Sequence, residues 1–277
     1  MSNRTSHPTG WQLEQAAPEA YEQYLVPAFF ASWTDRLVET ADVHEGDHVL
    51  DVACGTGIVA RRAAQQVGED GAVVGIDINE GMLAVAEAKA TKRSLSVEWR
   101  QGDATELPFS DEQFDVVCCQ QALQFFDDAS AAMAEMERVL APGGRVALSV
   151  WRPLEYHPGY VVLAETLEDH VGDEAGAMMR SPFPAWDGDD LRGLAQEAGF
   201  DDLSVTIEIG AVRYPSPEEF VRREAASSPL AESLAATEQA VREALVQEVE
   251  DGLEAYTDDD GVTSPMETFV LTARRGE

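Results

Sequence analysis

Lysine is nearly absent from this chain: Lys89 and Lys92 are the two present, and Lys plus Arg number 19 against 52 Asp plus Glu, a formal charge of −33 over 277 residues. The acids do not form a tail, because 25 fall up to residue 164 and 27 after it, so the excess coats the whole surface. Self-repulsion of this size opposes folding in dilute buffer, whereas at ~1 M salt the screening length falls to ~3 Å and the repulsion largely disappears. The composition is that of a protein adapted to molar salt, and a halophilic, archaeal cytoplasm is the expected setting. The charge also counts against nucleic acid as a partner, although a proteome-wide acidic bias would weaken that exclusion.

Cysteine is scarce as well. Cys54, Cys118 and Cys119 offer no disulfide framework, and neighbours on a strand point to opposite faces, so Cys118 and Cys119 make a poor metal pair. All three read as packing residues, and no metal site is expected. No apolar run approaches membrane-spanning length and the start of the chain lacks a basic, hydrophobic leader pattern, so a soluble cytoplasmic protein is expected. The length suffices for a full core, as one domain with insertions or one domain plus a lid.

What the chain does have is residues 49–57, V-L-D-V-A-C-G-T-G. Val49, Leu50 and Val52 form the short apolar run of a strand covered on both faces, and residues 58–67 resume at helical spacing. Gly55 and Gly57 fit a turn that needs positive φ and lets a ligand touch the backbone, with free N–H groups of the following helix aimed at it. Gly55-x-Gly57-x-x-Ala60, with Asp77 twenty residues beyond Gly57, also satisfies a dinucleotide fingerprint. Asp51 decides between the two readings: at the carboxyl end of the strand it would repel a pyrophosphate but hold an ammonium group.

D-V-A-C-G-T-G resembles the first motif of the class I S-adenosylmethionine-dependent methyltransferases, whose cofactor carries an ammonium beside a sulfonium. The segment G-D-A-T-E-L-P-F at 102–109 resembles the family's adenine-binding motif, and L-A-P-G-G-R-V-A-L-S at 140–149 its fifth strand. In style the chain is closest to the ubiquinone and menaquinone methyltransferase-like (type 11) group. The resemblance covers residues 43–151 with specific motifs and the remainder by order of elements. It implies an α/β fold: a doubly wound, Rossmann-like, mostly parallel sheet of seven strands with the last one antiparallel, plus helical lid insertions.

Taken in order, residues 1–10 read as a frayed terminus and 11–43 as a helical arm in which Pro27 separates two helices. The cofactor-binding core follows at 44–151. A second strand ends at Asp77, placed to take both ribose hydroxyls, while Ile78 and Met82 cover the adenine and Asn79 caps the next helix. A third strand, 95–100, leads to Asp103 and Ala104, which in the family read the adenine edge. A fourth, 114–120, ends at Gln120, which with Gln121 and Gln124 borders the path from methyl donor to acceptor. Residues 152–277 hold the rest of the sheet and two lid insertions, about 153–184 and 216–256, which pack over the site, on the core or on a second copy in a homodimer. The resemblance also brings Tyr21 or Tyr24 to the cleft.

The implied cofactor-binding set is therefore Asp51, Ala53, Cys54, Gly55, Gly57, Asp77, Ile78, Met82, Asp103, Ala104, Gln120 and Tyr24, for S-adenosyl-L-methionine. The implied reaction is methyl transfer to an oxygen, nitrogen or carbon of a small-molecule acceptor. No N-P-P-Y motif follows the fourth strand, which sets the chain apart from many enzymes that methylate bases. No catalytic residue is named, since the donor is already activated. His157 and His170 are read as structural or exposed. The competing classes are a NAD-dependent oxidoreductase, in which Asp51 and Asp103 would have no role, and a non-catalytic S-adenosylmethionine-binding protein.

Overall fold

The computed structural model describes residues 17–276. Its frame is a mixed sheet of β1 (His48–Val52), β2 (Ala72–Asp77), β3 (Glu98–Gln101), β4 (Phe114–Gln120), β5 (Leu140–Trp151), β6 (Phe200–Tyr214), a two-residue β7 (Thr257–Asp258) and β8 (Gly261–Arg275). Seven of these stand in the order β3-β2-β1-β4-β5-β8-β6. The first five are parallel, and β8 runs antiparallel between β5 and β6. The expected topology is thus observed, with β7 added as a short pairing on β8.

The strands form because their residues are buried on both sides. β1 packs Val49, Leu50 and Val52 at 0% exposure, and β4 does the same with Val116, Val117, Cys118 and Cys119. One face of the sheet is covered by α2 (Ala31–Thr40) and α3 (Ile58–Ala63), through Leu37, Val38, Val59, Ala60 and Ala63. The other is covered by α5 (Ala129–Val139) and α8 (Gly188–Glu197), through Met133, Met136, Leu191 and Ala195. Between β2 and β3 runs α4 (Glu80–Lys92), capped by Asn79, whose Oδ1 accepts the Met82 N–H at 3.2 Å. The chain goes outward from β1 to β3 and returns at β4, so the carboxyl ends of β1 and β4 flank the switch point where such sheets bind ligands.

A third cluster sits above that point. It joins the N-terminal arm to α6 (Pro158–His170), α7 (Asp173–Arg180), α9 (Pro217–Ala226), α10 (Leu230–Ala236) and α11 (Gln239–Gly252), with Phe29, Trp151, Tyr160, Phe183 and Phe220 in its centre. Both insertions therefore pack on each other as well as on the sheet.

Several local expectations change. Pro27 does not separate two helices: the arm stays helical through Ala17–Ala20, Tyr21–Phe30 and Ala31–Thr40, and the middle segment widens to π geometry. A proline has no N–H and its ring crowds the carbonyl four residues back, and a wider turn accommodates both. Residues 11–16 of the expected arm, and the frayed 1–10, lie outside the described residues. The third strand begins at Glu98 rather than at 95, and the stretch after 226 is two helices with a turn at Thr237. At Ser216 the side chain caps α9 by accepting the Glu219 N–H, and the Glu219 carboxylate pairs with Arg222 and Arg223. Among the described residues no helix is long and apolar enough to cross a membrane.

Candidate functional site

β1 ends in a turn with three left-handed residues, Ala53 (φ +52°), Gly55 (+54°) and Gly57 (+80°). Each glycine is required for a different reason. A Cβ on Gly57 would lie 2.3 Å from the Trp99 ring, so Gly57 is dictated by packing. A Cβ on Gly55 meets nothing within 4 Å and would project into open space, so there the backbone itself is presented to a ligand. Cys54 lies under the turn, 8% exposed, with burial pushing its thiol well above the usual range, which makes it a packing residue rather than a nucleophile.

Three acids stand at or just past the ends of β1, β2 and β3, and the structure gives them different tasks. Asp51 is 1% exposed and its Oδ2 accepts the Ala60 N–H at 2.8 Å, tying β1 to the first turn of α3. Burial pushes its carboxyl up to about 8. Asp77 accepts the Gly55 N–H on Oδ2 and the Asn79 N–H on Oδ1, both at 2.8 Å, and burial raises its pKa too. Asp103 is exposed and folds its Oδ1 back onto the N–H and hydroxyl of Thr105 at 2.8 Å, while Ala104 is buried beside it.

These turns border a cavity of about 460 Å³ that runs in two directions. At one end it is lined by Ala53, Gly55, Asp77, Ile78 and Met82, at the other by Phe29, Trp151, Tyr160, Phe183 and Glu224, with Gln120, Gln121 and Gln124 between. Ile78 is 52% exposed, an apolar side chain left open to whatever fills the first end. Of the expected site residues, Ala53, Gly55, Asp77, Ile78, Met82 and Gln120 line the cavity, while Asp51, Cys54 and Gly57 are not among its lining residues. Asp103 and Ala104 stand outside the lining.

Tyr21, not Tyr24, lines the cavity. Tyr24 points to the other side of the arm, where Arg222 and Arg223 stand 5.1 and 5.4 Å from its ring centre. The helical spacing cannot separate the two tyrosines, since the wide turn shifts which residues share a face. The arm itself is clasped to the site by a buried group that sequence reasoning missed. Glu22 accepts the Thr56 hydroxyl at 2.6 Å and Arg61 Nη2 at 3.1 Å, Lys89 lies 3.5 Å away, and Arg61 also donates to the Thr56 carbonyl. Thr34 donates to Gln120 Oε1 at 2.8 Å and joins the same arm to the end of β4.

Glu224 was also missed, although a signal existed. It falls four residues after Phe220 and three after Val221, on the buried face of α9, where a carboxylate is out of place. His157 is buried, with Nε2 at 2.9 Å from the Arg152 carbonyl and its pKa lowered by burial to about 4, and His170 pairs with Glu248 at 2.8 Å. Both are structural. No group of residues that could hold a metal ion occurs among the described residues.

A left-handed glycine turn at the switch point of a 3-2-1-4-5 sheet, bordered by acids, defines a nucleoside-cofactor-binding α/β protein. Comparison with known proteins makes this specific. A family model described as a methyltransferase domain matches residues 50–148. The demethylmenaquinone methyltransferase of Staphylococcus carnosus is 34% identical over 203 residues, 70% of this chain and 81% of that protein. The ubiquinone/menaquinone biosynthesis C-methyltransferase UbiE of Francisella tularensis is 30% identical over 197 residues, 65% and 77% of the two chains. Among solved structures, Haemonchus contortus phosphoethanolamine N-methyltransferase 2 in complex with S-adenosyl-L-methionine shares the fold with a TM-score of 0.59 at 22% identity, over 99% of this chain and 59% of that one.

The chain belongs to the class I S-adenosyl-L-methionine-dependent methyltransferases. It is an enzyme of that family and S-adenosyl-L-methionine is its cofactor, which sets aside hydride transfer and non-catalytic binding. The residues fit such a group: Asp51 is buried and Asp77 half-buried, with no Lys or Arg within ion-pair distance of either among the described residues, as suits a site for a ligand carrying positive charge. The open face of Gly55 gives that ligand a place against the backbone.

Proposed function

We propose that the enzyme methylates a ring carbon of a small hydroxyaromatic acceptor of the quinol type, in a halophilic cytoplasm. The single observation that carries the acceptor reading is the aromatic box at the far end of the cavity. Phe29 meets Trp151 at 4.7 Å and Tyr160 at 5.8 Å between ring centres, and Tyr160 meets Phe183 at 5.2 Å. Such walls favour a flat, largely apolar ring over a compact ammonium or phosphate compound. The acceptors printed in the names of the relatives, demethylmenaquinone and ubiquinone or menaquinone precursors, are of this class.

In this reading Asp77 receives the ribose hydroxyls, exchanging the Gly55 N–H for the ligand, and Ile78 and Met82 cover the adenine. The side-chain carbonyls of Gln121 and Gln124 are buried without a hydrogen-bond partner among the described residues, which offers two acceptors for ligand donors at the junction of the two ends. When bound, the cofactor supplies a methyl group already activated on a sulfonium. The chain then has to align the acceptor, exclude water and dispose of a proton, and alignment alone contributes several kcal/mol.

The test is transfer of labelled methyl from S-adenosyl-L-methionine in molar potassium chloride to three acceptors in parallel: a short-chain naphthoquinol kept reduced, a primary amine and an aliphatic alcohol. Label is expected in the quinol, on carbon by mass spectrometry. Label in the amine or alcohol with none in the quinol would overturn the proposal.

A further inference from the structure

Glu224 is a carboxyl group with no cation beside it, 2% exposed, on the wall of the acceptor end of the cavity. It receives the Tyr160 hydroxyl at 2.9 Å and the Tyr214 hydroxyl at 2.5 Å, and both donate to the same oxygen, Oε1. No described residue donates to Oε2. The groups facing it are these two tyrosines, one from α6 and one from β6, and on its own helix Arg223 turns away to Glu219 at 2.7 Å. Burying an uncompensated carboxylate is costly, and packing alone would have been served as well by an apolar residue among Phe220, Val221 and Ala225. A polar group kept in such a place, oriented by two others and open on one side to the cavity, has the arrangement of a proton acceptor.

We infer that Glu224 is the general base of the reaction, its free oxygen taking the hydroxyl proton of the acceptor while Tyr160 and Tyr214 act as positioning residues that fix the other oxygen. The inference rests on the hydroxyaromatic acceptor proposed above. Glu224 Oε2 takes the O–H proton, and the electron pair left on oxygen delocalises into the ring. The ring carbon forms the new C–C bond as the donor's S–CH3 bond breaks, with that pair going to sulfur. Loss of the proton on the methylated carbon restores the aromatic ring, the ring oxygen is reprotonated, and one proton in net passes to solvent. Burial pushes the Glu224 carboxyl up to about 7, against the two tyrosine bonds that lower it, so it exchanges protons near neutral pH.

Glu224→Gln keeps an oxygen for both tyrosines and removes the base. In molar potassium chloride it is expected to bind S-adenosylhomocysteine within about twofold of wild type and to lose about a hundredfold or more in transfer to a phenolic acceptor. Most of the loss should return with an acceptor whose hydroxyl is already ionised at the assay pH. The wild-type rate should rise with pH around a midpoint near 7, and Tyr214→Phe, which keeps the carboxylate but removes a bond that lowers its pKa, should move that midpoint upward. Wild-type rate and pH profile in Glu224→Gln, or an equal loss on both acceptors, would overturn the assignment. Failure of the wild-type enzyme on every hydroxyaromatic would instead remove the acceptor reading and the inference with it.

Discussion

Asp77 accepts two backbone N–H groups, so its proposed role toward the cofactor is an exchange of partners rather than a filling of free lone pairs. Losing a bond to a charged acceptor costs ~1.5–3 kcal/mol, so Asp77→Ala should weaken S-adenosylhomocysteine binding by roughly ten- to a hundredfold or more in calorimetric titration. Unchanged affinity would refute its place in the site. Asp51 leads to a different expectation. Burial pushes its carboxyl up to about 8, and a bound ammonium favours the carboxylate. Binding should therefore release a proton, seen as a dependence of the measured heat on buffer ionisation enthalpy, and Asp51→Asn should abolish it. The sign for stability follows from the same shift: the folded pKa lies above the unfolded one, so this contribution is fully present below about pH 4 and is lost as pH rises through about 8.

The elements differ in how far the sequence reveals them. The strand ends carrying Asp51, Asp77 and Gln120 were legible, because a parallel strand buried on both faces writes itself as a short apolar run and its loop needs glycine at fixed places. Asn79 as a helix cap was legible for the same local reason. The two insertions were legible as helices, with packing over the site as one reading, but the meeting of Tyr160 with Glu224 was not: they are 64 residues apart in sequence, and their contact depends on how the insertions pack over β5 and β8. Nor did spacing show that the arm is fastened by Glu22 to Thr56 and Arg61, since a buried ion pair has no periodicity. That clasp allows a direct test at the element scale. Glu22→Ala leaves the Arg61 guanidinium, 3% exposed, with neither Glu22 oxygen, and should lower stability by about 3 kcal/mol in urea melts at fixed salt, with weaker cofactor binding as the arm loosens. A change below ~0.5 kcal/mol would show that the arm is held by its apolar face alone.

For the whole molecule the dominant property is charge. The 19 basic residues are mostly arginines, many engaged in pairs such as Arg62 with Asp35 and Arg213 with Asp258, so most acids among the described residues have no counter-charge. The melting temperature is expected to rise as potassium chloride increases from millimolar to molar, and a midpoint indifferent to salt would contradict the halophilic reading. The proposed cofactor end at the glycine turn and the proposed acceptor end among the aromatic rings line one cavity. The most direct measurement is a crystal structure grown in molar potassium chloride with S-adenosylhomocysteine and a hydroxynaphthalene bound together. The ribose is expected on Asp77 with the Gly55 bond broken, the adenine against Ile78 and Met82, and the naphthalene between Phe29, Trp151 and Phe183 with a hydroxyl on Glu224. A nucleoside lying among those aromatic rings, or an acceptor bound outside the cavity, would contradict that arrangement.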